Sequence, residues 1–222
     1  MCVAKRRMAG IAIVLLLLSF SACQRSTEKG LEEEKAKQAA EASKVAPTDV
    51  APAQVDEPPA EPTMPEVKLT EALEATCLVK VGDTMPEGTL ADRDGRLVES
   101  GSMLDSKLTV VFFWNAEGVS SLQGLDELQK YVAGPYAEKG VRVFGINHKD
   151  SPQLAVEKLQ LTGAAFPVYL DPDGAYFAKF ATEGLPRTYL LDANGKILWF
   201  DTEYSQSTKR DLLGAIEFVL RQ

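Results

Sequence analysis

The four residues Gly118, Val119, Ser120 and Ser121 lie where proteins often keep reactive groups. They follow a continuous apolar run, TVVFFW at residues 109–114, and open a segment with helical spacing. A buried strand that leads directly into a helix leaves free backbone N–H groups at the helix start, and such groups suit an anion or an activated nucleophile.

Three interpretations of this helix start are open. In the first, Ser120 is the N-cap and Gln123 completes a capping box, so the serines are structural. In the second, the free N–H groups bind a carboxylate or phosphate, which the neighbouring Glu117 would oppose. In the third, a serine is a nucleophile, but no nearby residue could act as its base, and His148 lies in another loop. The capping interpretation is favoured.

Cysteine and histidine offer little further chemistry. Cys2 and Cys23 belong to the N-terminal signal, which leaves Cys77 as the single thiol of the mature domain. One thiol cannot form an intramolecular disulfide, so no internal redox couple is expected. Cys77 is interpreted as a small buried residue or as a partner in an intermolecular disulfide, with burial favoured. With the one histidine, His148, interpreted as a polar loop residue, we expect no metal site and no cofactor.

The composition argues against a nucleic-acid-binding surface. Lys and Arg number 24 against 32 Asp and Glu, which gives a formal net charge of -8 at pH 7. Phosphate binding needs clustered Lys and Arg, and the folded part of the chain has no such stretch. We therefore expect no nucleic-acid partner.

Residues 1–22 match a lipoprotein-type export signal. Three basic residues at positions 5–7 precede the apolar run IAIVLLLLSF, which is too short for a comfortable membrane span. The sequence FSAC, ending at Cys23, resembles the lipobox of bacterial lipoproteins, and this resemblance implies a lipid anchor on Cys23. Gln24 after that cysteine favours the outer membrane. The alternative is cleavage nearby, which would give a soluble periplasmic protein.

Residues 23–69 are predicted to be a disordered tether. The first half is rich in Ala, Glu and Lys with few large apolar residues, and the second half is rich in Pro and acidic residues. Such a composition favours an extended spacer, and about 50 residues would give a reach of roughly 40 Å. The segment would hold the domain away from a membrane, or it is an inert leader.

Residues 70–222 are predicted to form one α/β domain. Apolar runs predict buried strands, and i, i+3, i+4 spacing predicts helices. In chain order the predicted elements are a small hairpin with its turn at Asp94-Gly95, a strand at 109–114, a helix at 121–133, a strand at 141–147, a helix at 151–163, a short strand and helix near 167–182, a hairpin with its turn at Asn194-Gly195, and a last amphipathic helix. This order predicts a central mixed sheet flanked by helices.

This order resembles the thioredoxin-like superfamily, in its TlpA/ResA-like exported redoxin branch. Four segments carry the resemblance: the lead-in VGDTMPEGTLADRDGRLV, the strand VVFFWNA, the strand VRVFGIN and the segment GLPRTYLLDANGKIL. They cover about residues 80–222. The resemblance implies a thioredoxin-like fold with an N-terminal β-hairpin extension, and the natural function of such a protein is thiol-disulfide exchange.

The departures from the family pattern fall on its reactive motif. The family has Trp-Cys-x-x-Cys after Phe-Trp, and alignment places Glu117 at that tryptophan, Gly118 at the first cysteine and Ser121 at the second. The usual Glu and Pro of the helix fall at Gly124 and Asp126. Since glycine and serine form no disulfide, no catalytic residue is expected at these degenerate positions.

The resemblance also implies a groove beside a cis-proline at Pro186. In the family, backbone groups there pair with an extended segment of a partner protein. The residues expected to bind a partner are Trp114, Glu117, Gly118, Val119, Ser120, Leu185 and Pro186. The alternative for Pro186 is a proline tolerated at the start of a strand.

Two functions follow from these interpretations. The first is a redox-inactive, membrane-anchored protein of the bacterial cell envelope that binds a protein or peptide partner in the cis-proline groove. The second is a thiol-disulfide oxidoreductase, or a peroxiredoxin-like antioxidant enzyme, that uses Cys77 as a single thiol. The first is favoured, because residues 116–121 contain no cysteine.

Overall fold

The apolar run at residues 109–114 lies inside a seven-stranded mixed sheet. The structure is a computed structural model that describes residues 63–222. Its strands are β1 (Thr89–Ala91), β2 (Leu97–Glu99), β3 (Leu108–Trp114), β4 (Val141–His148), β5 (Val168–Asp171), β6 (Arg187–Asp192) and β7 (Ile197–Asp201). Their order in the sheet is β2-β1-β5-β4-β3-β6-β7. β3 and β5 both pair with β4 in parallel, and the remaining pairs are antiparallel.

Four α-helices and several short turns connect the strands. The helices are α1 (Glu71–Glu74), α2 (Val119–Leu128), α3 (Pro152–Gln160) and α4 (Gln206–Leu220). A π-helical turn, Gln129–Ala133, continues α2, and 3-10 turns occupy Ser100–Met103, Ala137–Lys139 and Phe177–Lys179. No helix within residues 63–222 has the length and apolar character that crossing a bilayer requires.

The sheet separates two hydrophobic clusters, because successive side chains of a strand point to opposite faces. Phe112 and Trp114 of β3 belong to the cluster that also contains Leu125 of α2 and Ile216 of α4. Phe113 faces the other cluster, where it packs against Tyr189 of β6. Three aromatic residues in or next to the 3-10 turn Phe177–Lys179 cover this face of the sheet: Tyr176, Phe177 and Phe180. Both faces of β3 are therefore covered, and all seven of its residues are buried.

The predicted fold class is confirmed, with differences at the element ends. β1 and β2 form the N-terminal hairpin around Asp94-Gly95, and β6 and β7 form the second hairpin. Near 167–182 the structure has a strand and only a 3-10 turn instead of a helix. Val67, which lies within the last residues of the predicted tether, packs against the core. The export signal, Cys23 and most of the tether lie outside the described residues.

Candidate functional site

The candidate site lies at the carboxyl end of β3, where the chain turns into α2. Gly118 is the N-cap of α2, with φ -75° and ψ 115°, and it makes no side-chain capping bond. The capping box predicted for Ser120 and Gln123 is therefore wrong. The helix begins at Val119, two residues earlier than a Ser120 cap requires, so Ser120 lies inside the first turn and is exposed.

Ser121 rather than Ser120 fixes the turn into the helix. The Ser121 hydroxyl donates to Asn115 Oδ1 at 3.0 Å and accepts a hydrogen bond from the Asn115 backbone N–H at 3.3 Å. Ser121 is fully buried. Its hydroxyl is thus engaged with Asn115 on both sides, and neither partner atom is a general base for a serine nucleophile.

The missing side chain of Gly118 leaves room for Asn115. A Cβ atom placed on Gly118 would lie 2.8 Å from Ser121 Oγ and would overlap with Asn115 Oδ1. Because Cβ atoms do not tolerate such distances, a residue larger than glycine requires Asn115 or Ser121 to move. Gly118 aligns with the first cysteine of the family motif. The space that a side chain at Gly118 would need is therefore occupied by the side-chain amide of Asn115.

Asp150 supports the same turn from the end of β4. Its Oδ2 accepts the Ala116 backbone N–H at 2.6 Å and Asn147 Nδ2 at 2.7 Å. Asn147 is the last buried residue of β4, and it pairs with Trp114 in the parallel register. A polar network thus connects the ends of β3 and β4 beneath the start of α2.

A groove of about 590 Å³ runs beside this network. It is lined by Asn115, by His148 and Lys149, and by Leu185 with the residues before it. The Leu185-Pro186 peptide bond is cis, as expected. Lys149 has a left-handed φ of 64°, which turns the chain sharply between β4 and Asp150.

His148 is part of the groove lining. Burial lowers its pKa below the ordinary value and the neighbouring Lys149 adds to this, while Asp171 acts in the opposite direction. His148 Nδ1 lies 3.9 Å from Asp171 Oδ2, too far for a hydrogen bond. The carboxylate of Asp171 instead accepts the backbone N–H groups of Tyr176 and Phe177. The imidazole packs on the Phe177 ring with centroids 4.6 Å apart.

The predicted partner-binding residues fall into three groups. The side chains of Trp114 and Pro186 are buried, and their part in binding a partner stays a prediction. Leu185 is half-buried and lines the groove. The other predicted residues, Glu117, Gly118, Val119 and Ser120, lie at the helix start outside the groove lining, and Val119 is the most exposed large apolar residue described, at 81%.

Sequence reasoning missed Asn115, Lys149 and Asp150. Asn115 stands directly after the strand, and its polar type at the end of an apolar run was the available signal. Asp150 gave no signal, because its contact with Ala116 joins positions 34 residues apart. Within residues 63–222, no group of three or more His, Cys, Asp or Glu residues could hold a metal ion.

Comparison with known proteins finds a matching family and several similar proteins. Residues 80–216 match the redoxin family. The chain is 32% identical over 128 residues to the thiol:disulfide interchange protein DsbE of Vibrio cholerae, covering 54% of this chain and 63% of that protein. It is 28% identical over 147 residues to the thiol-disulfide oxidoreductase ResA of Geobacillus thermodenitrificans, covering 64% of this chain and 79% of that protein.

Solved structures agree on the fold. The thioredoxin domain of a thiol-disulfide oxidoreductase from Bacteroides vulgatus matches with a TM-score of 0.55 at 18% identity, over 64% of this chain and 99% of that chain. The peroxidoxin BcpB from Mycobacterium tuberculosis matches with a TM-score of 0.54 at 22% identity, over 64% of this chain and 96% of that chain. At these identities the comparison shows a thioredoxin-like fold alone.

Proposed function

Because this chain belongs to the redoxin family and yet has no cysteine at the start of α2, we propose that it is a redox-inactive, thioredoxin-like binding protein of the bacterial cell envelope. The observation that carries the proposal is the state of the two reactive positions. Gly118 has no side chain, and Ser121 has a buried hydroxyl bonded to Asn115. Thiol-disulfide exchange needs a thiolate that can attack and a second thiol that can resolve, and neither position supplies one.

The packing around Gly118 also supports the loss of thiol-disulfide exchange, because the space around this residue does not fit a cysteine side chain. Asn115 Oδ1 occupies the space that the Cβ of a cysteine would need. The thiolate of the family motif is stabilised by the free N–H groups of the helix start. Here the turn before the helix is held by Asn115, Ser121 and Asp150, which form bonds that contain no sulfur.

The groove beside Leu185 supports binding of an extended segment. Asn115 and Leu185, the residue before the cis-proline, both line it, and its volume of about 590 Å³ accommodates a few side chains. An extended segment would form backbone hydrogen bonds at Leu185, just before β6, as in strand addition. Val119, exposed at the helix start next to the turn, would add an apolar contact.

The proposal includes a lipid anchor on Cys23 that faces the periplasm, with the outer membrane favoured. Support comes from the lipobox-like FSAC sequence and from Gln24. If the anchor exists, the native protein sediments with membranes, and its N-terminal peptide carries an acyl-modified Cys23 in mass spectrometry. Cys23→Ser should release the protein from the membrane fraction. Equal sedimentation of both forms would remove the anchor from the proposal.

The first test is the reduction of insulin by dithiothreitol. The purified chain with Cys2→Ser and Cys23→Ser should give the rate of the uncatalysed reaction, because Cys77 is then its single thiol. A rate above background that disappears in Cys77→Ser would replace the proposal with a monothiol oxidoreductase. That second function is favoured by the names of the relatives, which are thiol-disulfide exchange proteins.

The second test measures binding in the groove directly. The probe is the carboxymethylated insulin B chain, an unfolded peptide without free thiols. We expect it to shift the backbone amide resonances of Asn115, His148 and Leu185, and we expect Leu185→Glu to abolish these shifts. Leu161→Glu is the matched control, because Leu161 is an exposed leucine, at 72%, outside the groove lining. Shifts that are absent, or that survive Leu185→Glu, would contradict binding at this site.

A further inference from the structure

Lys149 brings a positive charge into the groove beside the cis-proline. Among the described residues that line this groove, it is the one lysine or arginine. Its φ of 64° lies in the left-handed region, and its backbone N–H donates to Asp171 O at 3.0 Å. A residue with a Cβ atom is strained in this region, and such strain is often found at binding and catalytic sites. The chain therefore holds a lysine at a position where glycine would fit the backbone better.

The side chain of Lys149 lies against Gly174, which also lines the groove. Gly174 belongs to the turn after β5 and has a φ of 75°. A Cβ atom on Gly174 would overlap with Lys149 Cε and would lie 3.1 Å from Lys149 Nζ. The lysine side chain is therefore packed on backbone that carries no side chain, and its ammonium group is held at the groove wall. A side chain that is already ordered loses less conformational freedom when a ligand binds.

Lys149 belongs to none of the ion pairs in the described part of the chain. Three carboxylates stand close in sequence to Lys149 or Gly174: Asp150, Asp171 and Asp173. Each of them accepts at least one backbone N–H, and none belongs to the groove lining. Such hydrogen bonds stabilise the negative charge of a carboxylate where it lies. The ammonium group is thus available to a negative group of another molecule.

Two other residues of the lining are ionisable. Burial lowers the pKa of His148, so its imidazole adds little positive charge at pH 7.5. Glu183 is exposed, and its carboxylate would repel an acidic ligand. An acidic group in contact with Lys149 nevertheless gains more than it loses to more distant carboxylates, because salt at 0.15 M screens charges that lie more than about 8 Å apart.

We propose that the groove selects an extended segment with an acidic side chain, and that the carboxylate of this side chain binds the Lys149 ammonium group. The backbone of the segment would bind beside Leu185, and the charge pair would decide which segments bind best. This inference rests on the proposed function, because it assigns the chemistry of the partner at the same groove. Lys149 is then a residue that determines specificity.

The test compares two peptides that differ at one position. Each is a nonapeptide of alternating serine and valine with blocked ends, and its central residue is either glutamate or glutamine. Because the host sequence repeats every two residues, the peptide can shift along the groove until the central side chain reaches Lys149. Binding to the full chain is measured from the shifts of the Asn115, His148 and Leu185 backbone amide resonances, at pH 7.5 in 0.15 M NaCl. We expect the glutamate peptide to bind about threefold more tightly, as for a partly exposed charge pair.

Variants assign this preference to Lys149. Lys149→Gln removes the charge, and we expect it to bind the two peptides equally. Lys149→Arg keeps the charge and should keep the preference. Lys107→Gln is the matched control, because Lys107 is an exposed lysine just before β3 and outside the groove lining, and it should leave the preference unchanged. Glu183→Gln removes a repulsion and should leave the preference in place or increase it.

The outcomes separate this inference from the proposed function. Equal binding of the two peptides to the unchanged chain, or a preference that survives Lys149→Gln, would overturn the role of Lys149 and leave peptide binding in the groove intact. Groove resonances that respond to neither peptide would overturn both. If Lys149→Gln does not fold, 0.5 M NaCl tests the unchanged chain, because salt screens the charge pair and should bring the two affinities together. A preference that does not change with salt would contradict the charge pair.

Discussion

Gly118→Ala gives the sharpest test of the Asn115 packing. The backbone of Gly118 has φ -75° and ψ 115°, which any residue adopts, so the substitution causes no backbone strain. The new methyl group would lie 2.8 Å from Ser121 Oγ and would overlap with Asn115 Oδ1. The cost must therefore come from these two side chains and from the loss of glycine at an N-cap.

The magnitude follows from three contributions. Overpacking of this kind costs about 1–3 kcal/mol when the neighbours cannot move. If Asn115 swings away, the Asn115–Ser121 hydrogen bond is lost, at about 1 kcal/mol. Replacing a favourable N-cap residue by alanine adds roughly 0.5–1 kcal/mol. We expect Gly118→Ala to lower the free energy of unfolding by about 1.5–3 kcal/mol.

A double-mutant cycle with Asn115→Ala isolates the overlap. In the Asn115→Ala background the overlap with Asn115 Oδ1 is absent, and the Ser121 hydroxyl, released from that oxygen, can rotate away from the new methyl group. Mainly the N-cap contribution then remains, so Gly118→Ala should cost about 0.5–1 kcal/mol, a coupling of roughly 1–2 kcal/mol. Urea unfolding followed by the fluorescence of the buried Trp114 and Trp199 measures both costs. Gly101→Ala is the matched control, because its Cβ would meet nothing within 4 Å. Equal costs of Gly118→Ala in the two backgrounds would refute the packing argument.

Two further predictions concern the same end of the sheet. Burial lowers the pKa of His148, so the unfolded chain binds a proton at this residue more readily than the folded chain does. Protonation of His148 therefore lowers the free energy of unfolding as the pH falls below about 6.5. His148→Gln should make the loss between pH 7 and pH 5 smaller in urea unfolding, and identical slopes would contradict this. Restoring both thiols with Gly118→Cys and Ser121→Cys should give insulin reduction only slightly above background, since Asn115 obstructs the first cysteine. Adding Asn115→Ala to these two changes should raise the rate of insulin reduction several-fold. Equal rates of the double-cysteine variant and this triple variant would rule out an obstruction by Asn115.

The fold was predictable because its signals are local. The run at 109–114, the turns Asp94-Gly95 and Asn194-Gly195, and the helical spacing of Leu125 and Leu128 each lie within a few residues, and all appear in the structure as expected. The predicted capping box failed because Gly118 is the N-cap and both serines lie inside the first turn of the helix. The start of the helix is fixed with the contact between Ser121 and Asn115, which the sequence does not specify.

Contacts distant in sequence account for the features that sequence reasoning missed. Asp150 reaches Ala116 across 34 positions, and Arg187 reaches Cys77 across 110. Cys77 was interpreted from its type alone as a small buried residue or an intermolecular thiol. Neither interpretation included the buried guanidinium of Arg187. Arg187 stands directly after the cis-proline, where the resemblance to the family predicts a binding groove and not a contact with Cys77.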